Sequence, residues 1–305
     1  MPKDFLSVAD FSADDLWSMA DRAASLRAAH REGKHERTLE GRTLAMYFEK
    51  PSLRTHVTFE AGIAQLGGHG ILLKPEQIGI GSRESASDVA RALSRWVDVL
   101  MARTFSHALV EELAAEATIP VINGLTDLLH PCQAMADLVT IAQYRKPQDA
   151  AIAYVGDGNN VVNSLILLAS VLGLRLHVAT PPSHRPTAEI LERAKPLARE
   201  SGAEIELGED PAEAVRGVDF VYTDTWTSMG QEAEAAERRE IFRDYQVNDS
   251  LLAHANDARV MHCLPAHRGE EVTAEVLDGP RSIVFDQAEN RLHAQNAILE
   301  HLLAR

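Results

Sequence analysis

Cysteine is nearly missing from this chain: Cys132 and Cys263 are the two in 305 residues, too few for a disulfide scaffold. Long apolar runs are missing as well. The most apolar stretch, Val161 to Leu174, contains Asn163 and Ser164 and stops at Arg175, too short to cross a bilayer. The opening residues, MPKDFLSVADFSADDL, carry acids from Asp4 onward and no apolar core, so no secretory signal is expected. Basic residues are outnumbered 30 to 45, a net charge of −15. That balance speaks against a nucleic-acid partner or an anionic membrane for the molecule as a whole, and leaves room for a local basic pocket. No repeat of solenoid period and no low-complexity tract is present. What remains is 45% hydrophobic and 25% charged residues, the composition of a soluble globular protein about two domains long. A cytoplasmic, reduced enzyme is the expectation.

Ser12 followed by Asp15 gives a capping-box pattern, and Leu16, Met19, Ala20, Ala23 and Leu26 keep helical spacing, so a helix is predicted over Ala13 to Arg31. LAMYF (Leu44 to Phe48) reads as a buried strand. A second helix runs from Ser52 towards Leu66 and stops at Gly67-Gly68; a third segment covers Ser87 to Val97. VDVLMAR and IPVIN read as strands flanking the helix HALVEELAAEA, and a further helix covers about Cys132 to Tyr144. KPQD (Lys146 to Asp149) looks like a linker or the start of a new unit. Beyond it AIAYVG, LRLHVAT, AEIEL, VDFVYT, ARVMH and SIVFD read as strands alternating with helical or turn segments, before a terminal helix from Gln287 to Leu303. Nearly all-apolar strands alternating with helices predict an α/β chain with parallel sheets covered on both faces. The predicted division is 1–145, 146–285 and a C-terminal helix, 286–305, packing back on the first domain.

Ligands of open parallel sheets collect at the carboxyl ends of strands. After the first strand comes FEKPSLRTHVTFE, with Ser52 at a helix N-cap and Arg54 and Thr55 in the first turn. Unpaired N–H groups, partial positive charge and an Arg fork in one turn suit a phosphate; the plainer alternative is an ordinary capped helix with a surface Arg. Arg103 ends another strand. His130-Pro131-Cys132-Gln133 opens a helix, where His130 can donate to a carbonyl oxygen and Gln133 can hold an amide, or both can simply cap and pack. GDGNNVVNS has two of the three glycines of a dinucleotide fingerprint, and its asparagines Asn159, Asn160 and Asn163 suit either a polar ligand or a turn. VYTDTWTSMGQE places Asp224 at a strand end, suited to a cationic amino group. In MHCLPAHRGEE, Cys263 lies between His262 and His267, and three readings stay open: a nucleophilic thiol, a zinc site, or a loop presenting backbone carbonyls. The spacing is wrong for structural zinc.

In fixed order, FEKPSLRT, QIGIGSRES, MARTF, HPCQ, NNVVNS, DTWTSMGQE, HCLPAHRGEE and FDQAENRLHAQ resemble the aspartate/ornithine transcarbamoylase family, on its ornithine side. The resemblance runs from about Phe48 to the C-terminus. It implies two doubly wound α/β domains, each with a parallel sheet flanked by helices, with the active site in the cleft between them. It implies transfer of a carbamoyl group from carbamoyl phosphate to the δ-amine of L-ornithine, with no metal or organic cofactor. On the matching positions, Ser52, the Leu53 backbone, Arg54 and Thr55 would cradle the phosphate. Arg103 would bridge phosphate and carbonyl, with Thr55 and His130 polarising the carbonyl oxygen. Gln133, the Cys263 and Leu264 carbonyls and Arg291 would hold the amide end. Gln77 would reach a neighbouring subunit's site, which implies a homotrimer. Asn163, Asp224, Ser228 and Met229 would grip ornithine, with Cys263 a contact near the attacking amine.

Two positions depart from the family pattern: His56 stands where Arg is usual, and Val162 precedes Asn163 where a small residue is common. Putrescine or an N-acylated ornithine as acceptor, and a Rossmann-type nucleotide enzyme read from GDGNN, are the competing expectations.

Overall fold

Strand β1 (Thr43–Phe48), the first apolar run of the chain, lies inside a four-stranded parallel sheet with β2 (His69–Leu73), β3 (Val99–Arg103) and β4 (Val121–Leu125), in the order β2-β1-β3-β4. A second parallel sheet holds β5 (Ala151–Val155), β6 (Arg175–Ala179), β7 (Glu204–Gly208), β8 (Phe220–Thr223) and β9 (Arg259–His262), in the order β7-β6-β5-β8-β9. The computed structural model describes residues 2–255 and 257–303. The chain divides into two compact units, 1–139 with 289–305, and 140–288.

The first unit is built as its local signals dictate. The helix Ala13–Arg31 starts at Ser12, whose side chain accepts from the Asp15 N–H while Asp15 returns the bond, and its buried stripe is Leu16, Met19, Ala20, Ala23 and Leu26. Helices Ala86–Leu93 and His107–Glu116 cover Ala45, Tyr47, Leu100 and Ala102 of the sheet. The last helix, Val284–Leu303, belongs to this unit from Glu289 onward. There Glu300 pairs with Arg22, and Glu289 with Arg27 and Arg31.

In the second unit the helix Asn160–Leu172 is buried along almost its whole length and ends at Gly173, whose φ of 68° supplies the left-handed C-cap. Val155, Val221 and Val260 form a core with Trp226, Phe242 and Tyr245.

Two predicted elements differ. SIVFD does not form a strand: Ser282 retains a single parallel bridge to Val260, and from Val284 the chain is helical. The spacing of Val284, Ala288, Arg291 and Leu292 is helical, and a five-residue apolar run alone cannot distinguish the two. The third helical segment stops at Leu93, where the Ser94 hydroxyl bonds back to the Ala90 carbonyl.

Each sheet reverses its strand order at one place, between β1 and β3 in the first and between β5 and β8 in the second. A crevice at the carboxyl ends of the diverging strands is where this architecture binds ligands.

Candidate active site

At the first reversal, Phe48 ends β1 directly opposite Arg103, the end of β3. The loop after β1 is tied there by the Glu49 N–H, which donates to the Arg103 carbonyl at 2.8 Å. It leads into the helix Leu53–Gln65, whose N-cap Ser52 accepts from the Thr55 N–H at 3.1 Å. Thr55 is fully buried, and its hydroxyl oxygen accepts from two guanidinium groups, Arg103 at 3.2 Å and Arg291 at 2.8 Å. Arg291 also donates to the Gln133 side-chain oxygen and lies 3.5 Å from Nε2 of His130. Gln133 in turn donates to Asp137 at 2.8 Å.

Burial holds the His130 ring well below the ordinary histidine range, and the positive charges of Arg291, Arg103 and Arg54 push the same way. The ring is therefore neutral, with Nε2 facing an Arg291 N–H. A buried hydroxyl, a neutral imidazole and three guanidiniums near a helix N-terminus bring together, inside an acidic protein, the donors and positive charge that suit an anion. Leu53 is exposed on the same turn, and His56 points along the helix to pair with Glu60 at 3.0 Å. Gln77 stands apart on the short helix Pro75–Ile78: it is exposed, and its backbone carbonyl accepts from Arg83.

At the second reversal the loop after β8 carries Asp224, buried, whose two oxygens accept from Asn159 Nδ2 at 2.7 Å and from the Cys263 thiol at 3.0 Å. Asn159 also caps the helix Asn160–Leu172. Asn163 is not on Asp224: its side chain exchanges bonds with Thr187. Ser228 and Met229 follow in the loop after Asp224, the first half-buried and the second exposed. Cys263 and Leu264 leave β9; Leu264 has φ of 60° and a cis bond to Pro265. Among the described residues, Asp224, His262 and Cys263 offer ligand atoms within 4.8 Å of one another, as do His267, Glu270 and Glu271.

The two halves of the chain match the two domains of one family. Residues 3–143 match the aspartate/ornithine carbamoyltransferase carbamoyl-P binding domain, and residues 148–302 match the Asp/Orn binding domain of the same family. The chain is a member of the aspartate/ornithine carbamoyltransferase family. Within it, an ornithine carbamoyltransferase from Anoxybacillus flavithermus is 52% identical over 303 residues, 99% of this chain and 96% of the relative. The solved ornithine carbamoyltransferase of Pyrococcus furiosus is 50% identical and superposes with a TM-score of 0.96, covering 99% of this chain and 97% of that one. The anabolic ornithine carbamoyltransferase of Campylobacter jejuni, 37% identical, superposes with a TM-score of 0.93 over 99% of each chain.

Several residues of this carbamoyltransferase fold escaped the sequence reading. Asp137 lies four residues after Gln133 on one helix face, a spacing that was there to be read. Asp157 and Arg238 form a buried ion pair across 81 residues, and Arg238 also donates to the carbonyl of Trp226, two residues after Asp224. Burial pushes the Asp157 carboxyl up to about 7, against the lowering by Arg238 and with the charge of Asp224 adding. In the unfolded chain the group returns to about 3.9. The folded state binds this proton more tightly, so the group adds stability as pH falls from about 7 towards about 4. Urea denaturation of the protein and of Asp157→Asn at about pH 7.5 and about pH 5.5 checks this. The wild-type advantage should grow at the lower pH; a constant or shrinking difference refutes the assignment.

Proposed function

We propose that the chain is an ornithine carbamoyltransferase, moving the carbamoyl group of carbamoyl phosphate to the δ-amine of L-ornithine and releasing L-citrulline and phosphate. The observation that carries this reading is the convergence of Arg103 and Arg291 on the buried Thr55 hydroxyl, beside a neutral His130 and a capped helix start. That cluster lies in the part of the chain matching the carbamoyl-P binding domain.

Carbamoyl phosphate already has a good leaving group, so catalysis needs charge stabilisation and alignment more than a covalent step. In this reading Ser52, the Leu53 backbone, Arg54 and Thr55 hold the phosphate, and Arg103 spans phosphate and carbonyl. Thr55, Arg103 and His130 stabilise the oxyanion as the amine adds. Gln133, Arg291 and the backbone carbonyls of Cys263 and Leu264 hold the amide end. Asp224, with Asn163, Ser228 and Met229, receives ornithine. Cys263 is read as a substrate contact and not as a nucleophile, its thiol donating a hydrogen bond to Asp224. An alkylammonium has a pKa of about 10.4, so the δ-amine must lose its proton on entering a dry site.

A homotrimer in which Gln77 reaches a neighbouring copy's site fits the exposure of Gln77 and of Leu53 and Val57, which sit one turn apart on one helix and are 75% and 51% exposed. Two free thiols suit a reducing cytoplasm. The anabolic designation of the Campylobacter jejuni relative favours a place in arginine biosynthesis. A nucleotide-dependent alternative is disfavoured by the GDGNN turn itself, where Asn159 is spent on capping the helix and holding Asp224.

A citrulline assay with ornithine, putrescine, aspartate and N-acetylornithine offered side by side tests the reading. Rapid carbamoylation of ornithine, with the other three at least about 100-fold slower, is the expected result, a gap of about 2.7 kcal/mol. Preference for any other acceptor overturns it.

A further inference from the structure

The segment His262 to His267 is held from beneath by a histidine and a carboxylate to which neither the substrates nor the family motif assigns a task. His262 ends β9 and is fully buried, as is Glu271. The Leu264 N–H donates to Nδ1 of His262 at 2.8 Å. An amide N–H can only donate, so Nδ1 carries no proton, and the neutral ring must keep its proton on Nε2. Nε2 lies 3.1 Å from Oε1 of Glu271, which completes the relay from carboxylate through imidazole to amide. The same Glu271 oxygen accepts from the His267 N–H at 2.6 Å. The His262 N–H is itself held by the side-chain oxygen of Gln287 at 2.8 Å.

One carboxylate therefore pins both ends of a six-residue segment. Between those ends Leu264 is held at φ of 60°, a left-handed backbone that is unfavourable for an L-residue and persists only where neighbouring bonds enforce it. The direction of the Cys263 and Leu264 carbonyls, and of the Cys263 thiol on Asp224, follows from that backbone.

We infer that His262 and Glu271 are positioning residues for the carbamoyl transfer: Glu271 fixes the imidazole tautomer of His262, and His262 uses Nδ1 to aim the Cys263–Leu264 backbone at the amide end of carbamoyl phosphate. The inference rests on the proposed role of those two carbonyls. It predicts an unequal outcome for two isosteric replacements. In His262→Asn the side-chain oxygen reaches the place of Nδ1 and still accepts from Leu264. In His262→Gln the amide reaches the place of Nε2, and the Leu264 N–H loses its partner.

The experiment is steady-state kinetics on full-length His262→Asn, His262→Gln, Glu271→Gln and Glu271→Ala, with thermal melts and imidazole nitrogen NMR on the parent protein. Misplacing the carbonyls should lower kcat/KM for carbamoyl phosphate by about 100-fold in His262→Gln and Glu271→Ala. His262→Asn should recover at least about tenfold of that, and Glu271→Gln, whose side-chain oxygen can still accept both bonds, should do the same, with KM for ornithine moving less in all four. NMR should find Nδ1 unprotonated at neutral pH. Equal losses in His262→Asn and His262→Gln that track melting temperature, or a proton found on Nδ1, would overturn the inference, while citrulline formation by the parent protein separates that failure from failure of the proposed reaction.

Discussion

Arg103→Ala should lower kcat/KM by about three orders of magnitude while leaving a cooperative thermal melt. Arg103 ends β3 at the place where the sheet reverses, is 6% exposed, and donates to the Thr55 hydroxyl at 3.2 Å. It shares that oxygen with Arg291, so two buried cations already converge where a third, Arg54, is close enough to act on His130. Such an arrangement is costly without an anion, because the like charges repel in a dry setting. Removing one guanidinium relieves repulsion in the empty protein and removes attraction in the transition state, so activity and stability should separate. The loss of a single preorganised donor from an oxyanion site typically costs 10²- to 10³-fold, and Arg103 supplies a full charge besides. Arg103→Lys should restore only part of the rate, since a point charge cannot span phosphate and carbonyl as a planar fork does. Product inhibition by phosphate gives an independent readout: its inhibition constant should rise in step with the loss. Near-normal turnover in Arg103→Ala, or unchanged phosphate inhibition, would refute the assignment.

The parts of this site that the sequence made legible are those whose information is local. Ser52, Arg54 and Thr55 announce themselves as a cap and first turn, and the structure puts the cap bond where the spacing asks for it, from the Thr55 N–H to the Ser52 side chain. Arg103 and Asp224 were readable as strand ends because nearly all-apolar runs fix where the strands stop. What stayed hidden depends on pairing across the chain. Nothing near Thr55 foretells that Arg291, 236 residues on, will donate to it. Asp157 and Arg238 look like a turn acid and a helix-surface base until folding buries both. Strand β2 was missed for a different reason. It is an edge strand with alternating half-buried and exposed positions, including His69 and Gly70, and it lacks the continuous apolar run that marks the interior strands. SIVFD failed in the opposite sense: it has the apolar run, but its chain continues into helix-forming residues that outvote it.

Asp224→Ala should raise KM for ornithine and lower kcat/KM for it by roughly 150-fold, about 3 kcal/mol, with carbamoyl phosphate binding nearly unchanged. The carboxylate follows β8, is 5% exposed, and is held by Asn159 at 2.7 Å and the Cys263 thiol at 3.0 Å. Both partners are neutral donors, so they orient the anion without cancelling its charge, and a substrate ammonium can pair with it. Arg238 bonds the Trp226 carbonyl, two residues beyond Asp224, and Asp157, and so ties down the loop that carries Asp224. Alanine removes the charge and also leaves Asn159 and Cys263 without their acceptor, which is why the comparison needs Asp224→Asn. That variant keeps the shape and an acceptor oxygen but no charge. If the charge is what recruits the amino acid, Asp224→Asn should lose nearly as much ornithine affinity as Asp224→Ala. If the carboxylate only props the Cys263 thiol, Asp224→Asn should be close to wild type. Binding of carbamoyl phosphate alone, followed by calorimetry on all three proteins, closes the test: equal loss of both substrates would show that Asp224 supports the fold of its loop and does not receive ornithine.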